Sequence, residues 1–265
     1  MKRIVFGCSP LGTYDAFGPL TALLWREIAG YEALVILTGN ESDWQSPRHK
    51  KIQQAYNDLE IIPRYIGFLN FGNQALASKV CRYYAAAFNL PADSYLLTGD
   101  IDIWPLDREW FNREYQKPVQ IYFSNAHNYE KHATCYIGAD LETWRDMLKI
   151  NPSKPIADHL DREFQASLRE DGAWLGWRSD EVFMKSRLWG WNGYPQKCSM
   201  IEGSYDAMRI DRSAWPKRID IKGKVDAHLP RPLDDPKVYK AVRPIIEQAA
   251  PGCLKWADEY VRGLR

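Results

Sequence analysis

The chain has 265 residues, enough to bury a substantial core in one large α/β domain with a tail. Its 35 Lys and Arg stand against 34 Asp and Glu, so no general electrostatic field draws a nucleic acid, and any ligand is recognised locally. Cys8, Cys81, Cys135, Cys198 and Cys253 are odd in number, widely spaced and free of a C-x-x-C pattern, which argues against a disulfide framework or zinc site and for reduced thiols in a cytosol-like compartment.

The apolar run that starts the chain stops after Ile4, Val5 and Phe6, too soon for a signal peptide, and no stretch reaches the roughly 18 apolar residues of a membrane span. Arg3 to Cys8 therefore reads as a buried strand and Ser9-Pro10-Leu11-Gly12-Thr13 as the turn that leaves it. Phe17 to Ala29 has the pattern of a helix closed by Gly30, and Ala33 to Thr38 that of a second strand, followed by a polar loop from Gly39 to Asp43. Strand, helix, strand predicts a parallel unit. Pro47 to Leu59 is expected to be helical and Tyr65 to Leu69 a strand. Gly72 to Phe88 reads as one strong helix, with Leu76, Val80, Tyr83 and Ala87 on a buried stripe.

Residues 94 to 104 read Ser-Tyr-Leu-Leu-Thr-Gly-Asp-Ile-Asp-Ile-Trp, an apolar run ending in two aspartates one residue apart. In an extended backbone side chains alternate, so Asp100 and Asp102 are expected on one face while Ile101 and Ile103 turn to the core. The pair then lies near the carboxyl end of a strand, where open α/β sheets bind ligands. Two hard carboxylate oxygens there suit Mg²⁺ or Mn²⁺ held against a diphosphate. The plain alternative is a polar strand end turning into solvent.

After Pro105 the pattern is less regular. Val119 to Ser124 is expected as a strand with Ala133 to Ile137 paired to it; Glu142 to Lys149, Asp158 to Leu168 and Glu181 to Leu188 read as helices. Trp189 to Pro195 reads as a loop, and from Ile219 the chain is proline-rich until two short terminal helices. In the last of these Leu254, Ala257, Val261 and Leu264 have helical spacing, the mark of a helix docked on the body. The 11 Trp and 15 Tyr can stack on sugars or bases, and they also fill cores.

Arg3-Ile4-Val5-Phe6, Ser78-Lys79-Val80-Cys81-Arg82, Leu96-Leu97-Thr98-Gly99-Asp100-Ile101-Asp102, Cys135-Tyr136-Ile137-Gly138-Ala139, Ser179-Asp180-Glu181 and Asp226-Ala227-His228, in this order, resemble glycosyltransferases of the GT-A fold. In length the chain also resembles the small stand-alone transferases of large algal viruses. The resemblance runs from about residue 3 to 232 and rests on the Asp-Ile-Asp segment as the family's DxD motif, the remainder being order and spacing. It implies a Rossmann-like mixed, mostly parallel sheet flanked by helices: one catalytic domain over 1–232, with a nucleotide-sugar half (1–104) and an acceptor half (105–232), and a helical tail over 233–265. It implies metal-dependent transfer of a sugar from a nucleotide diphosphate, UDP favoured, to a glycan or other hydroxyl acceptor; the cysteine pattern leads us to expect a cytoplasmic protein, and the oligomeric state is open.

By the same resemblance Asp102 ligates Mn²⁺ or Mg²⁺ directly, Asp100 contacts the metal, its water or the ribose, and His228 completes the metal or pyrophosphate site. Lys79 and Arg82, three apart on one helical face, add positive charge near the phosphates; a solvated helix face is the plainer account. Asp180, ahead of Glu181, is the candidate general base, although acids in the first turn after Ser179 are also what a helix dipole favours. With such a base one displacement inverts the anomeric centre; without it a retaining route stays open. Ser9, Thr13 and Asp43 are the polar groups on offer to the donor's base, and equally serve as turn and cap residues. Trp177, Trp189 and Trp191 can stack on an acceptor sugar or simply pack. A sugar nucleotidyltransferase is the second enzymatic reading, although Gly7-Cys8-Ser9-Pro10-Leu11-Gly12 is poor in glycine for its phosphate loop. A carbohydrate-binding module is the non-enzymatic one.

Overall fold

The computed structural model describes residues 1–67, 74–114, 116–125, 135–169 and 179–265. The first half runs β1 (Lys2–Cys8), α1 (Phe17–Leu24), β2 (Glu32–Thr38), α2 (Pro47–Asp58), β3 (Arg64–Ile66), α3 (Gln74–Val80), β4 (Tyr95–Thr98) and β5 (Ile103–Pro105). The second runs α4 (Arg108–Asn112), β6 (Val119–Tyr122), β7 (Ile137–Asp140), α5 (Leu141–Leu148), α6 (Ile156–Arg169), α7 (Ser179–Trp189), β8 (Cys198–Ile201), α8 (Tyr205–Met208), β9 (Arg209–Asp211), β10 (Asp226–His228), α9 (Pro236–Ala249) and α10 (Leu254–Leu264).

Seven strands form one sheet in the order β3-β2-β1-β4-β7-β6-β8. Among the described residues only β7 runs antiparallel to its neighbours. A separate three-stranded sheet, β5-β10-β9, stands beside it. The large sheet is covered on both faces, which is why β1 and β2 read as continuous apolar runs rather than alternating ones. Period two sorts their side chains all the same: Ile4, Phe6, Leu37 and Leu97 pack with α1, α2, α9 and α10, while Val5, Ile36 and Leu96 pack with α3, α5, α6 and α7.

Several expectations shift by a few residues, for identifiable reasons. The helix after β1 is regular to Leu24, widens into a π-helical turn over Trp25–Ala29, and ends at Gly30. The expected Gly72-to-Phe88 helix is two windings, α3 and a tighter 3₁₀ segment over Cys81–Ala87; its first residues lie outside the described ones. Leu76, Val80, Tyr83 and Ala87 are all buried. Their mixed three- and four-residue steps suit both windings, so spacing does not tell one from the other. The polar loop after β2 contains a 3₁₀ turn over Glu41–Trp44.

The strand expected over Ala133 to Ile137 is β7, later in the chain, with Ala133 outside the described residues. Asp140 explains the misplacement: it pairs with Tyr95 as the last residue of the strand, and its side chain also accepts a hydrogen bond from Thr143 N (2.7 Å) as the N-cap of α5. In the tail, Ala257, Val261 and Leu264 are buried in the same core as Ile4 and Phe6, and Tyr260 Oη donates to Ala16 O (2.8 Å). Among the described residues no helix is long and apolar enough to cross a membrane.

Candidate active site

The apolar run from Ser94 to Trp104 is not one strand. β4 stops at Thr98, Ile103 N donates to Asp100 O (3.1 Å), and the chain turns out of the large sheet into β5 of the small one. Gly99 makes the exit possible: a Cβ there would lie 2.8 Å from Ile4 Cδ1 and 2.9 Å from the Phe6 ring. The alternation expected for Asp100 and Asp102 is therefore replaced by a turn. Both side chains still reach a single cavity of about 440 Å³ beyond the carboxyl ends of β1 and β4.

Ser9, Thr13, Lys79, Arg82, Asp100, Asp102, Asp180, Glu181 and His228 all line this cavity. Asp43 does not; its carboxylate accepts from Asn40 N (2.8 Å) and closes the capping box of its own turn. Trp191 is buried away from the cavity with Nε1 donating to Asp146 (2.8 Å), and Trp189 lies exposed at the far end of α7 under the Lys185 ammonium (4.3 Å). Trp177 lies outside the described residues.

α3 brings the cations in. It rests directly on the β1 backbone, because a Cβ on Gly7 would sit 1.8 Å from Ser78 O. Arg82, just beyond it, is buried and donates to Gly99 O (2.8 Å), Tyr83 Oη (3.2 Å), Asp180 (3.2 Å) and Asp100. One guanidinium thus ties the first aspartate of the pair to the start of α7. Burial opposes the Asp100 charge, but the adjacent Arg82 outweighs it and holds the carboxyl below its ordinary range. At Asp180 burial prevails over Arg82, and the carboxyl is pushed up. Burial likewise lowers Lys79.

The small sheet supplies the opposite wall. Asp102 is buried and accepts from Arg212 Nη1 (2.5 Å), with His228 Nε2 3.5 Å away. Asp211 and Nδ1 of His228 are 3.1 Å apart. Burial disfavours the imidazolium, yet hydrogen bonds to Asp102 and Asp211 raise its pKa to about 9. The same bond to His228 draws Asp211 well down. Arg209, also lining the cavity, is clamped by both oxygens of Asp226 (2.7 and 2.5 Å) and lies over the rings of Tyr205 (4.3 Å) and Phe123 (5.0 Å).

Arg209, Asp211, Arg212 and Tyr205 are lining residues that sequence reasoning missed. Strands of three residues with charges at their ends carry no usable periodicity. Only the pairing of β9 with β10 brings Arg209-Ile210-Asp211 beside the singled-out Asp226-Ala227-His228.

The donor set can be tested against a divalent ion. Among the described residues no group of three or more His, Cys, Asp or Glu is gathered closely enough to hold one ready-made. The chemistry nonetheless suits it, since Asp100, Asp102 and His228 offer carboxylate oxygen and imidazole nitrogen to one cavity. Charge balance agrees. With His228 neutral, as a ligand must be, the lining among the described residues carries four cationic side chains (Lys79, Arg82, Arg209 and Arg212) and five carboxylates (Asp100, Asp102, Asp180, Glu181 and Asp211). A bare diphosphate would leave such a wall with surplus negative charge, which a divalent cation offsets.

No protein-family model and no curated protein matches the chain. Among solved structures it is similar to the galactosyltransferase LgtC in complex with donor and acceptor sugar analogues, at 9% identity and TM-score 0.50, covering 99% of this chain and 95% of that one. It is also similar to the glycosyltransferase GlyE of Streptococcus pneumoniae TIGR4 (12% identity, TM-score 0.44, 81% of this chain), of which it spans about half, 48%. A third is a glycosyltransferase involved in glycosylation of the major capsid of PBCV-1 (12% identity, TM-score 0.36, 79% of this chain and 97% of that one). The LgtC superposition shows the fold: a mixed, mostly parallel sheet flanked by helices, of the glycosyltransferase type.

Proposed function

We propose that this chain is a nucleotide-sugar-dependent glycosyltransferase that moves a sugar from a nucleoside diphosphate donor, a UDP-sugar favoured, to a hydroxyl of a glycan or other acceptor, with Mn²⁺ or Mg²⁺. One observation carries the reading. On a glycosyltransferase fold, a single cavity at the strand ends gathers the Asp100 and Asp102 carboxylates, His228, the cations Lys79 and Arg82, and Asp180.

In this reading Asp100, Asp102 and His228 would hold the ion, which would supply charge neutralisation for the departing diphosphate. Lys79 and Arg82 face the same phosphates with fixed positive charge, and Arg82 is pre-organised by its four partners. Asp180 takes the proton of the acceptor hydroxyl as its oxygen attacks the anomeric carbon and the bond to the diphosphate oxygen breaks, which inverts that centre. Burial raises the basicity of Asp180, while the Arg82 guanidinium favours its ionised form. Ser9 and Thr13 remain at the cavity for the nucleoside; Asp43 is engaged in its own turn.

A panel of UDP- and GDP-sugars assayed by thermal shift tests the reading. A true donor raises the melting temperature only with Mn²⁺ present, and with an acceptor it releases the nucleoside diphosphate and gives a product of inverted configuration by NMR. Release of pyrophosphate from UTP or GTP supplied with a sugar 1-phosphate, without transfer from the sugar nucleotides, instead identifies a nucleotidyltransferase. Stabilisation by sugars alone identifies a binding module.

A further inference from the structure

Among the described residues three arginines line the cavity, and their restraints differ. Arg82 is buried and held by two backbone or hydroxyl oxygens and two carboxylates. Arg209 is buried, clamped by both Asp226 oxygens and laid over two aromatic rings. Neither can move without breaking several buried contacts. Arg212 is different: it begins the short 3₁₀ turn after β9, its side chain is 23% exposed, and among the described residues its sole hydrogen bond or ion pair is to Asp102. Asp102 itself is nearly inaccessible, with 6% of its side chain exposed.

We propose that Arg212 is a diphosphate-positioning residue held in reserve by Asp102, so that it couples divalent-cation binding to donor binding. This rests on the diphosphate-donor reading above. In the arrangement seen, the guanidinium and any metal ion compete for the same Asp102 carboxylate. A guanidinium relieved of Asp102 needs another anion, because an unpaired charge at a partly buried site is costly. The oxygens of a diphosphate are well suited: planar guanidinium donors match them in pairs, and the long side chain already lies in the cavity wall. The neighbouring Asp211 does not compete, being engaged by His228 Nδ1 and by the backbone N–H and hydroxyl of Ser213. The device makes two binding events favour each other. A cation arriving alone meets an already neutralised carboxylate, and a diphosphate arriving alone finds Arg212 engaged.

The test measures four affinities on the whole chain by titration calorimetry, with free Mn²⁺ followed by EPR: Mn²⁺ alone, UDP or GDP alone, and each in the presence of the other. In the unaltered protein Mn²⁺ and nucleotide should tighten one another by about tenfold, within the range usual for linked sites. Arg212→Gln should bind Mn²⁺ alone several-fold more tightly, because a competitor is gone. It should bind the nucleotide with Mn²⁺ roughly tenfold more weakly, the scale of one lost charge-assisted bond. Arg212→Lys should restore part of the coupling. These opposite signs separate the role from mere structural support, which would weaken both ligands. If Arg212→Gln leaves the coupling intact, or weakens Mn²⁺ alone, the assignment is overturned while the donor reading stands. If the unaltered protein binds neither nucleotide with or without Mn²⁺, the donor reading fails and this one with it.

Discussion

At the residue scale the two aspartates are unequal. Asp100 pairs with Arg82 and keeps 35% of its side chain exposed, whereas Asp102 is buried against Arg212 and His228. Asp102→Asn keeps the side-chain volume and removes the charge on which the proposed metal site depends. We expect turnover to fall by at least roughly 10²-fold with the melting temperature little changed; near-normal turnover in added Mn²⁺ would take Asp102 out of the reaction. Asp180→Asn should retain donor affinity and lose about 10²-fold or more in kcat, the scale of a missing general base. Its carboxylate also pairs with buried Arg82, so the control is a melting curve: collapse of the fold without a specific kinetic defect would assign Asp180 to support alone. Neither pairing could be read from the sequence. Arg82 and Asp180 lie 98 positions apart, and Asp102 and Arg212 lie 110 apart.

At the element scale, α3 and the 3₁₀ segment after it matter most, because they carry Lys79 and Arg82 over the end of β1. Gly7→Ala drives a Cβ into the Ser78 carbonyl, backbone against backbone, so α3 must move. The expected cost is about 1–3 kcal/mol of stability by denaturant titration, with weaker nucleotide binding as a second readout. On the outer side of the 3₁₀ segment, His159 of α6 stacks on Tyr84 (5.5 Å, 10°) and donates from Nε2 to Asn151 O (3.0 Å). Burial lowers its pKa below the ordinary value. The unfolded chain therefore takes a proton that the folded one refuses, so this residue's contribution is intact above about pH 6.5 and is lost as pH falls below it. His228, raised to about 9, has the opposite sign: its contribution is full below about pH 6.5 and fades as pH rises through 9. A comparison of the unaltered chain with His159→Phe between pH 7.5 and 5.5 isolates the first effect. The variant should lose less stability on acidification, and parallel pH profiles would exclude it.

At the scale of the whole molecule, the chain's two ends share one core. Ile4 and Phe6 from β1 and Val261 and Leu264 from α10 belong to the same packed cluster, and Tyr260 reaches back to Ala16. Val261→Ala should cost about 1–3 kcal/mol and shift a single cooperative transition; a separate early transition would show that α9 and α10 melt independently. The small sheet is the other long-range element. Its strands come from residues 103–105, 209–211 and 226–228, and it brings Arg209, Arg212 and His228 to the cavity, where Arg212 and His228 meet Asp102.

The sequence by itself determined what depends on neighbours a few residues away. Continuous apolar runs mark β1 and β2 as strands covered on both faces, helical stripes mark the buried sides of α3 and α10, and the Asp-Ile-Asp segment after an apolar run marks a strand end rich in carboxylates. Only the tertiary structure decided which charges meet. The turn after Gly99 replaced the expected alternation, the three-residue strands had no period to read, and Asp43 went to its own cap while Arg209 and Arg212 entered the cavity. The physical reason is one of range: strand and helix patterns record burial along a local segment, whereas an ion pair records only that two distant segments fold to within about 4 Å of each other, where a charge needs a partner whatever the intervening sequence.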